Sequence, residues 1–274
     1  GGRFAPGLPP KSDGQMLFLM NGIAKLKDTG HMAIIQNGSS LFTGDAGSGQ
    51  SEIRRYIIEN DWLDAIVQLP NDSFYNTGIS TYVWLITKEK PESHREHVLL
   101  VDASGCYESR RKNIGNKRVD ITQDARELIV KAYGEYRDEV YKETTSEGHE
   151  LTCKAKVLSS ISLGYNKVTI ESPIIDAKGN PVLKKGKKQA DTSKRDTENI
   201  PLDEDIDEYF DREVFPFNPN AWIDHSKDKV GYEIPFTSTF YEHKPVERAD
   251  VIAERIKLHE QALMKKLEML FEEV

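Results

Sequence analysis

Residues 74–78, Phe74-Tyr75-Asn76-Thr77-Gly78, which follow the turn cluster Pro70-Asn71-Asp72-Ser73, hold the side chains best suited to binding chemistry. Phe74 and Tyr75 offer aromatic faces, Asn76 an amide, Thr77 a hydroxyl, and Gly78 backbone freedom. Such groups at the end of a strand are costly to expose unless they hold a ligand. The plainer alternative is a hairpin whose aromatics pack back on their own sheet. A second cluster is cationic: Arg110, Arg111, Lys112, Lys117 and Arg118 put five positive charges into nine residues. That density suits contact with backbone phosphate, or is simply a solvated charge run. A third is the Gly/Ser-rich stretch 37–51, NGSSLFTGDAGSGQS. Backbone N–H groups there, at the start of the next helix, suit a phosphate. The stretch lacks the Gly-Lys-Ser/Thr ending of a P-loop, and no GxGxxG occurs, so a long mobile loop is the plainer reading. Cys106 and Cys153 are the only cysteines, with no CxxC spacing, and no metal-binding set is expected.

The elements that must position these groups follow from pattern. Leu63–Leu69 is a short apolar run, the mark of a strand buried on both faces. Residues 79–87 form a second strand, rich in β-branched and aromatic residues. The short loop between the two requires them to run antiparallel. Upstream, residues 15–27 carry apolar residues at helical spacing and residues 31–36 read as a strand. Residues 52–60 read as a helix with Ile53, Tyr56 and Ile57 on one face. If strands 31–36 and 63–69 are parallel, loops 37–51 and 70–78 meet at the carboxyl edge, where open α/β sheets bind ligands. Residues 97–102 extend the sheet, and an antiparallel strand at one end of it is expected. Residues 107–122 are expected as a basic loop, 123–141 as a helix and 144–150 as a linker.

From residue 151 the sheet pattern fades, and only 165–170 reads as a strand. Residues 178–195, Lys-rich and poor in core-forming residues, are expected as a mobile loop. Residues 206–213 suggest a short helix and 216–241 an irregular stretch. Residues 246–274 read as one long charged helix with a stripe of Ile252, Ile256, His259, Leu263, Leu267 and Leu270, close to coiled-coil spacing. The division expected is therefore 1–142, an α/β half-domain; 143–245, an irregular region; and 246–274, a helix. That helix either docks on another chain or folds back on residues 123–141.

The net charge, 37 minus 45 or −8, excludes bulk-charge coating of nucleic acid but not a local basic site. No run of about 18 apolar residues and no signal peptide occurs, and the two cysteines suit a reducing compartment. A soluble, cytoplasmic chain with no membrane contact is expected. Its start, Gly1-Gly2-Arg3-Phe4-Ala5-Pro6-Gly7, with no Met before Met16, suggests a piece of a longer protein.

Long segments carry a resemblance. SDGQMLFLMNGIAKLK (12–27), IIQNGSSLFTGDAGSGQSEIRRYIIENDWLDAIVQLP (34–70) and SFYNTGISTYVWLITKEKP (73–91) resemble the modification subunit of type I restriction–modification systems, an N6-adenine DNA methyltransferase. NIGNKRVDIT (113–122), LGYNKVTIESP (163–173), DTENIPLDEDIDEYFDREVFP (196–216) and AWIDHSKDKVGYEIPFTSTFY (221–241) do too. The resemblance implies the second half of a doubly wound α/β methyltransferase sheet. It implies S-adenosyl-L-methionine as cofactor of the intact subunit, and DNA, a specificity subunit and a restriction subunit as partners. It places Phe74, Tyr75, Asn76, Thr77 and Gly78 at the motif beside the flipped adenine, with Phe74 preferred for stacking. The family's catalytic Asn-Pro-Pro-Phe/Tyr is not found. Leu8-Pro9-Pro10-Lys11 lacks the Asn and the aromatic, and Asn218-Pro219-Asn220 lacks the second proline. Its Gly-rich cofactor loop is also not found. No catalytic or cofactor-binding residue is therefore expected in this chain, which alone should be inactive. Two other readings compete: a freestanding module that binds DNA or subunits, and a structural α/β domain.

Overall fold

Alternation of side chains across strands builds the central sheet. A computed structural model describes residues 2–243 and 246–272, without the side chains of residues 268 and 270–272. The chain begins with α1 (Gln15–Lys25), β1 (His31–Asn37), α2 (Ser39–Phe42), α3 (Gly49–Glu59), β2 (Leu63–Leu69), β3 (Thr81–Thr87) and β4 (His97–Gly105). It continues with β5 (Glu108–Ile114), β6 (Lys117–Asp120), α4 (Gln123–Glu135), β7 (Glu139–Thr144) and β8 (Glu150–Ser159). Six strands form one mixed sheet in the order β1-β3-β2-β4-β8-β7. β2 and β4 are parallel, and β3 is antiparallel to both β1 and β2. β1 and β2 therefore point the same way, and the loops after them share one edge.

Successive residues of these strands face opposite layers. Ile66, Trp84, Ile86, Val98 and Leu100 point to one side, against Met16, Leu19, Met20 and Ile23 of α1 and Ile53, Ile57 and Ile58 of α3. Ala65, Val67, Leu99, Val101, Cys153 and Ala155 point to the other, against Ala125, Leu128 and Ala132 of α4. Trp84 is fully buried, and truncating such a ring to Ala costs about 3–5 kcal/mol. α4 leaves β1 less covered: Ile35 is 49% exposed. β1 is also an edge strand, bonded only to β3 among the described residues.

Several expectations are corrected here. Two strands run against the others, and both lie inside the sheet rather than at one end: β3 between β1 and β2, and β8 between β4 and β7. The short loop compels β3 to lie beside β2 but leaves either side open. Its two apolar faces, Tyr82, Trp84 and Ile86 against Val83 and Leu85, favour the inner place. The segment 107–122 is a hairpin, β5–β6, and not a loop. The helix expected over 123–141 stops at Glu135, where Tyr136 turns left-handed at φ 45°, and β7 follows. The expected linker 144–150 is the tight connection between β7 and β8. β8 carries the sheet across the expected boundary at 142/143, with Leu151, Cys153 and Ala155 buried at period 2.

A second sheet follows from β9 (Gly164–Glu171), β10 (Leu183–Lys184), β11 (Lys187–Lys188), β12 (Asp196–Pro201), α5 (Ile206–Tyr209), β13 (Trp222–Ile223), β14 (Lys229–Tyr232) and α6 (Phe236–Thr239). β12, β13 and β14 all pair antiparallel with β9. Val168, Ile170, Ile200 and Ala221 form its small core. The Lys-rich segment 178–195 is thus partly ordered as the hairpin β10–β11, and the stretch expected to be irregular holds β13, β14 and α6. Short strands of mixed polarity carry too little period-2 signal to be read singly.

The chain divides into two compact units, Gly1–Phe240 and Tyr241–Val274. The second holds the helix α7 (Ala249–Glu272). Its stripe is exposed: Ile252 at 38%, Ile256 at 62%, Leu263 at 59% and Leu267 at 39%. His259 on that stripe is exposed as well, and the Leu270 side chain lies outside the described residues. Among the described residues no helix is long and apolar enough to cross a membrane.

Candidate functional site

The turn between β2 and β3 is built from its own polar groups. Ser73 Oγ donates to the Pro70 carbonyl at 2.7 Å, and Ser80 Oγ to Asn71 Oδ1 at 2.7 Å. The Asp72 amide donates to the Gly78 carbonyl at 3.3 Å, and Phe74 and Thr77 face each other across a bridge. Thr77 Oγ1 accepts from the Ile79 amide at 3.4 Å. These bonds hold residues 74–77 as a protruding tip.

The hairpin β5–β6 clamps that tip. The Asn116 amide donates to the Tyr75 carbonyl at 2.8 Å, and the Arg118 amide to the Asp72 carbonyl at 2.9 Å. Gly115 makes this possible. Its φ of +59° is left-handed, and a Cβ there would stand 2.5 Å from the Tyr75 carbonyl oxygen. Lys117 Nζ sits 5.8 Å from the centroid of the Tyr75 ring. The two candidate clusters are therefore one assembly, with the cationic hairpin as scaffold of the aromatic turn.

The five cations differ in role. Arg110 and Lys117 are ion-paired to Asp120, Lys117 at 3.1 Å, and together they hold the Asp120 carboxyl below the usual carboxylate range. Arg111, Lys112 and Arg118 are exposed and have no ion pair among the described residues. They are the charges left for an outside anion.

Phe74 and Tyr75 also separate. Tyr75 is 61% exposed. Phe74 is half-buried and lines an apolar cavity with Val67, Leu69, Val83, Leu85 and Ile129. Its volume, about 660 Å³, falls in the roughly 300–1,000 Å³ range of small-molecule sites. Asn76 is exposed, and its side chain has no hydrogen-bond partner among the described residues. Of the turn residues 74–77 Phe74 lines this hollow, which is large enough for a flat ring, while Tyr75 and Asn76 stand exposed at the tip.

The loop after β1 behaves differently from expectation. It folds into α2 and is anchored by buried groups. Arg54 of α3, fully buried, donates to the carbonyls of Tyr232 at 2.6 Å, Ser40 at 3.0 Å and Gly44 at 3.4 Å. Burial lowers this guanidinium to a pKa of about 10. Trp84 Nε1 donates to Ser40 Oγ at 3.2 Å. Gln15 Nε2 donates to Asn37 Oδ1 at 2.8 Å, and Ser39 Oγ to Asp13 Oδ2 at 2.9 Å. The polar side chains at the carboxyl end of β1 are thus engaged with one another.

Gly115, Asn116, Asp72 and Asp120 were not expected at the site. A Gly-Asn pair within a polar run is a hairpin signal, and it could have pointed to Gly115 and Asn116.

Fold and site together mark a mixed-sheet α/β protein with an exposed aromatic turn at the carboxyl end of a buried strand. Residues 1–167 match the family model described as N-6 DNA Methylase, and the chain belongs to that family. It is 33% identical over 109 residues to the type I restriction enzyme MjaIX methylase subunit of Methanocaldococcus jannaschii, covering 39% of this chain and 19% of that protein. It is 27% identical over 162 residues to the HindI methylase subunit of Haemophilus influenzae, covering 58% of this chain and 33% of that protein. A solved structure of the type I restriction-modification system methyltransferase subunit from Streptococcus thermophilus is 27% identical, covering 59% of this chain and 30% of that one, with a TM-score of 0.48. The matched part of this chain thus spans between 19% and 33% of the length of these relatives.

Proposed function

We propose that this chain forms the target-base side of an adenine-N6 DNA methyltransferase subunit in a type I restriction–modification complex. The observation that carries the reading is the union of the aromatic turn 74–78 with the cationic hairpin 108–120 in a chain of the N-6 DNA methylase family. A base drawn out of a duplex needs a stacking face and hydrogen bonds to its edge. Phe74, lining the cavity, supplies the face in this reading. Asn76 and Thr77 orient the base, and Tyr75, under Lys117, is the alternative platform. Arg111, Lys112 and Arg118 then meet the phosphates that flank it.

S-adenosyl-L-methionine, when bound, supplies the methyl group. In this reading the polar groups at the carboxyl end of β1, Asn37, Ser39, Gln15 and Asp13, serve to brace the loop by bonding one another. The reading assigns the cofactor and the catalytic Asn-Pro-Pro-aromatic to polypeptide outside this chain. In this reading the rest of the sheet continues at the edge of β1, which is unpaired among the described residues. DNA and the companion specificity and restriction subunits are the partners proposed for the intact assembly.

Transfer of labelled methyl groups to duplex DNA tests the reading. This chain alone should stay at background. In the longer subunit, Phe74→Ala should lower transfer about tenfold to a hundredfold, since stacking is worth about 1–3 kcal/mol per base. Tyr75→Ala should have the smaller effect. If neither change lowers transfer, the turn is structural and the reading fails.

A further inference from the structure

The Lys-rich segment stands apart from the site just described. Residues 177–190 hold five lysines, Lys178, Lys184, Lys185, Lys187 and Lys188, and no carboxylate, in a chain of net charge −8. All five are exposed. None forms an ion pair among the described residues, although Lys188 donates to the Asn220 carbonyl at 2.9 Å and lies over the Trp222 ring.

The segment is built to present these charges. Lys184 and Lys187 sit directly opposite each other in the β10–β11 pair. Between them Lys185 and Gly186 both have positive φ, 51° and 78°, as a type I′ hairpin turn requires. The base of the hairpin is tied by backbone bonds from Ile174 to Gln189 at 2.8 Å, from Val182 to Ile174 at 2.8 Å and from Gln189 to Val182 at 3.0 Å. Like charges placed directly opposite on paired strands are destabilising. An outside polyanion relieves that repulsion.

The place of the hairpin narrows the partner. β9 starts beside Leu163, just past Ser159, which pairs with His97 at the amino end of β4. It then reaches Lys167, whose Nζ lies 2.7 Å from Asp45 Oδ2 in the loop at the carboxyl end of β1. β9 therefore climbs toward the edge that also bears the turn 70–78. At about 3.3 Å per residue, the four residues to Glu171 carry it about 13 Å further. There Glu171, nearly buried, accepts Lys227 at 2.7 Å and Arg195 at 2.8 Å, which fixes the root of the hairpin.

From these observations we infer that the hairpin 177–190 is a second DNA-backbone contact, gripping duplex phosphates beyond the target-base turn. Ammonium groups on a rigid turn act as point charges, which suits phosphate and reads no sequence. The inference rests on the methyltransferase reading above.

The test uses the longer protein that contains this chain, with Lys178, Lys184, Lys185 and Lys187 all changed to Gln and, in parallel, to Arg. Affinity for a duplex of about 30 base pairs is measured from about 50 to 200 mM salt, where each phosphate contact contributes a slope of about 0.9 in log affinity against log salt. The Gln variant should lose up to about 3.6 of that slope and the Arg variant should keep it, both melting at the wild-type temperature. An unchanged slope in the Gln variant, with wild-type protein binding normally, overturns this inference and leaves the methyltransferase reading standing. No duplex binding by the wild-type protein sinks that reading and the inference with it. Loss of a companion subunit from the Gln variant, with the DNA slope intact, makes the hairpin a protein dock and overturns the inference as well.

Discussion

The Asn116 amide donates to the Tyr75 carbonyl at 2.8 Å, joining a cationic hairpin to an aromatic turn 41 residues earlier in the chain. The bond depends on Gly115, whose left-handed backbone brings Asn116 under the tip. Gly115→Ala should break this contact, because the new methyl meets the Tyr75 oxygen and the backbone is strained by about 1–3 kcal/mol. In the longer subunit, DNA methylation should fall about tenfold or more, since misplacing a positioned group is costly. The melting temperature should move by only a few degrees. Wild-type methylation in this variant would show that the hairpin does not position the turn.

Arg54 anchors the other loop at the same edge. Its three acceptors are backbone carbonyls of Tyr232, Ser40 and Gly44, with no carboxylate among them. Arg54→Met keeps the apolar stem but removes this donor from all three carbonyls, of which Tyr232 keeps Ser51 Oγ at 3.5 Å, at about 1–3 kcal/mol for each group that water cannot reach. Relief of the buried charge offsets part of this. A net loss of about 2–4 kcal/mol in urea unfolding is expected. Faster amide exchange should accompany it at residues 40–44. Equal stability of the two proteins would show that water replaces the guanidinium without penalty.

Much of the framework around the turn 70–78 could be read in advance, and the failures have physical causes. The apolar runs of β2, β3 and β4 stood out because both faces of each strand are buried. The turn 70–78 stood out because aromatic, amide and hydroxyl groups cluster at a strand end. β8 was missed although Leu151, Cys153, Ala155 and Val157 alternate, since the lysines between them read as loop. The β5–β6 hairpin was missed for a related reason. Arg, Lys and Asn have low strand propensity, and what holds this hairpin is bonding to the backbone of residues 72 and 75, a tertiary contact. The position of β3 inside the sheet depends on the crossover through α3 leaving a gap, which no local pattern encodes.

Three tyrosines, Tyr232 buried and Tyr133 and Tyr136 half-buried, set an alkaline limit. Tyr133 Oη donates to Asp64 Oδ2 at 2.5 Å, Tyr136 Oη to the Asp64 carbonyl at 3.1 Å, and His94 Nδ1 lies 3.0 Å from Asp64 Oδ1. Burial, reinforced by the Asp64 charge, raises both phenols well above their usual range, and burial beside Glu59 pushes Tyr232 up to about 12. In the unfolded chain a tyrosine loses its proton near pH 10. Between about pH 10 and 12 the folded protein holds more protons than the unfolded one, so stability falls as pH rises through that window. Arg54, lowered to about 10, works in the opposite direction over the same range. Tyr133→Phe should be less stable at pH 8, having lost the Asp64 bond, yet lose less stability between pH 8 and 11. Urea titrations at the two pH values decide this, and an equal or steeper loss in the variant would refute the assignment.

The last prediction concerns α7, whose apolar stripe of Ile252, Ile256, Leu263 and Leu267 is exposed while charges cover its other faces. At about 1.5 Å per residue its 24 residues span about 36 Å. An isolated helix of this kind has marginal stability, so an exposed stripe at near-heptad spacing favours a partner helix. We expect the stripe to meet a helix of the companion specificity subunit in the proposed complex. Changing Ile256 and Leu263 together to Asp should abolish co-purification of that subunit. Melting of the unit Gly1–Phe240 should stay at its wild-type temperature. A collapse of that melting temperature would place the stripe in this chain's own core, against residues 123–141, and the docking role would fall.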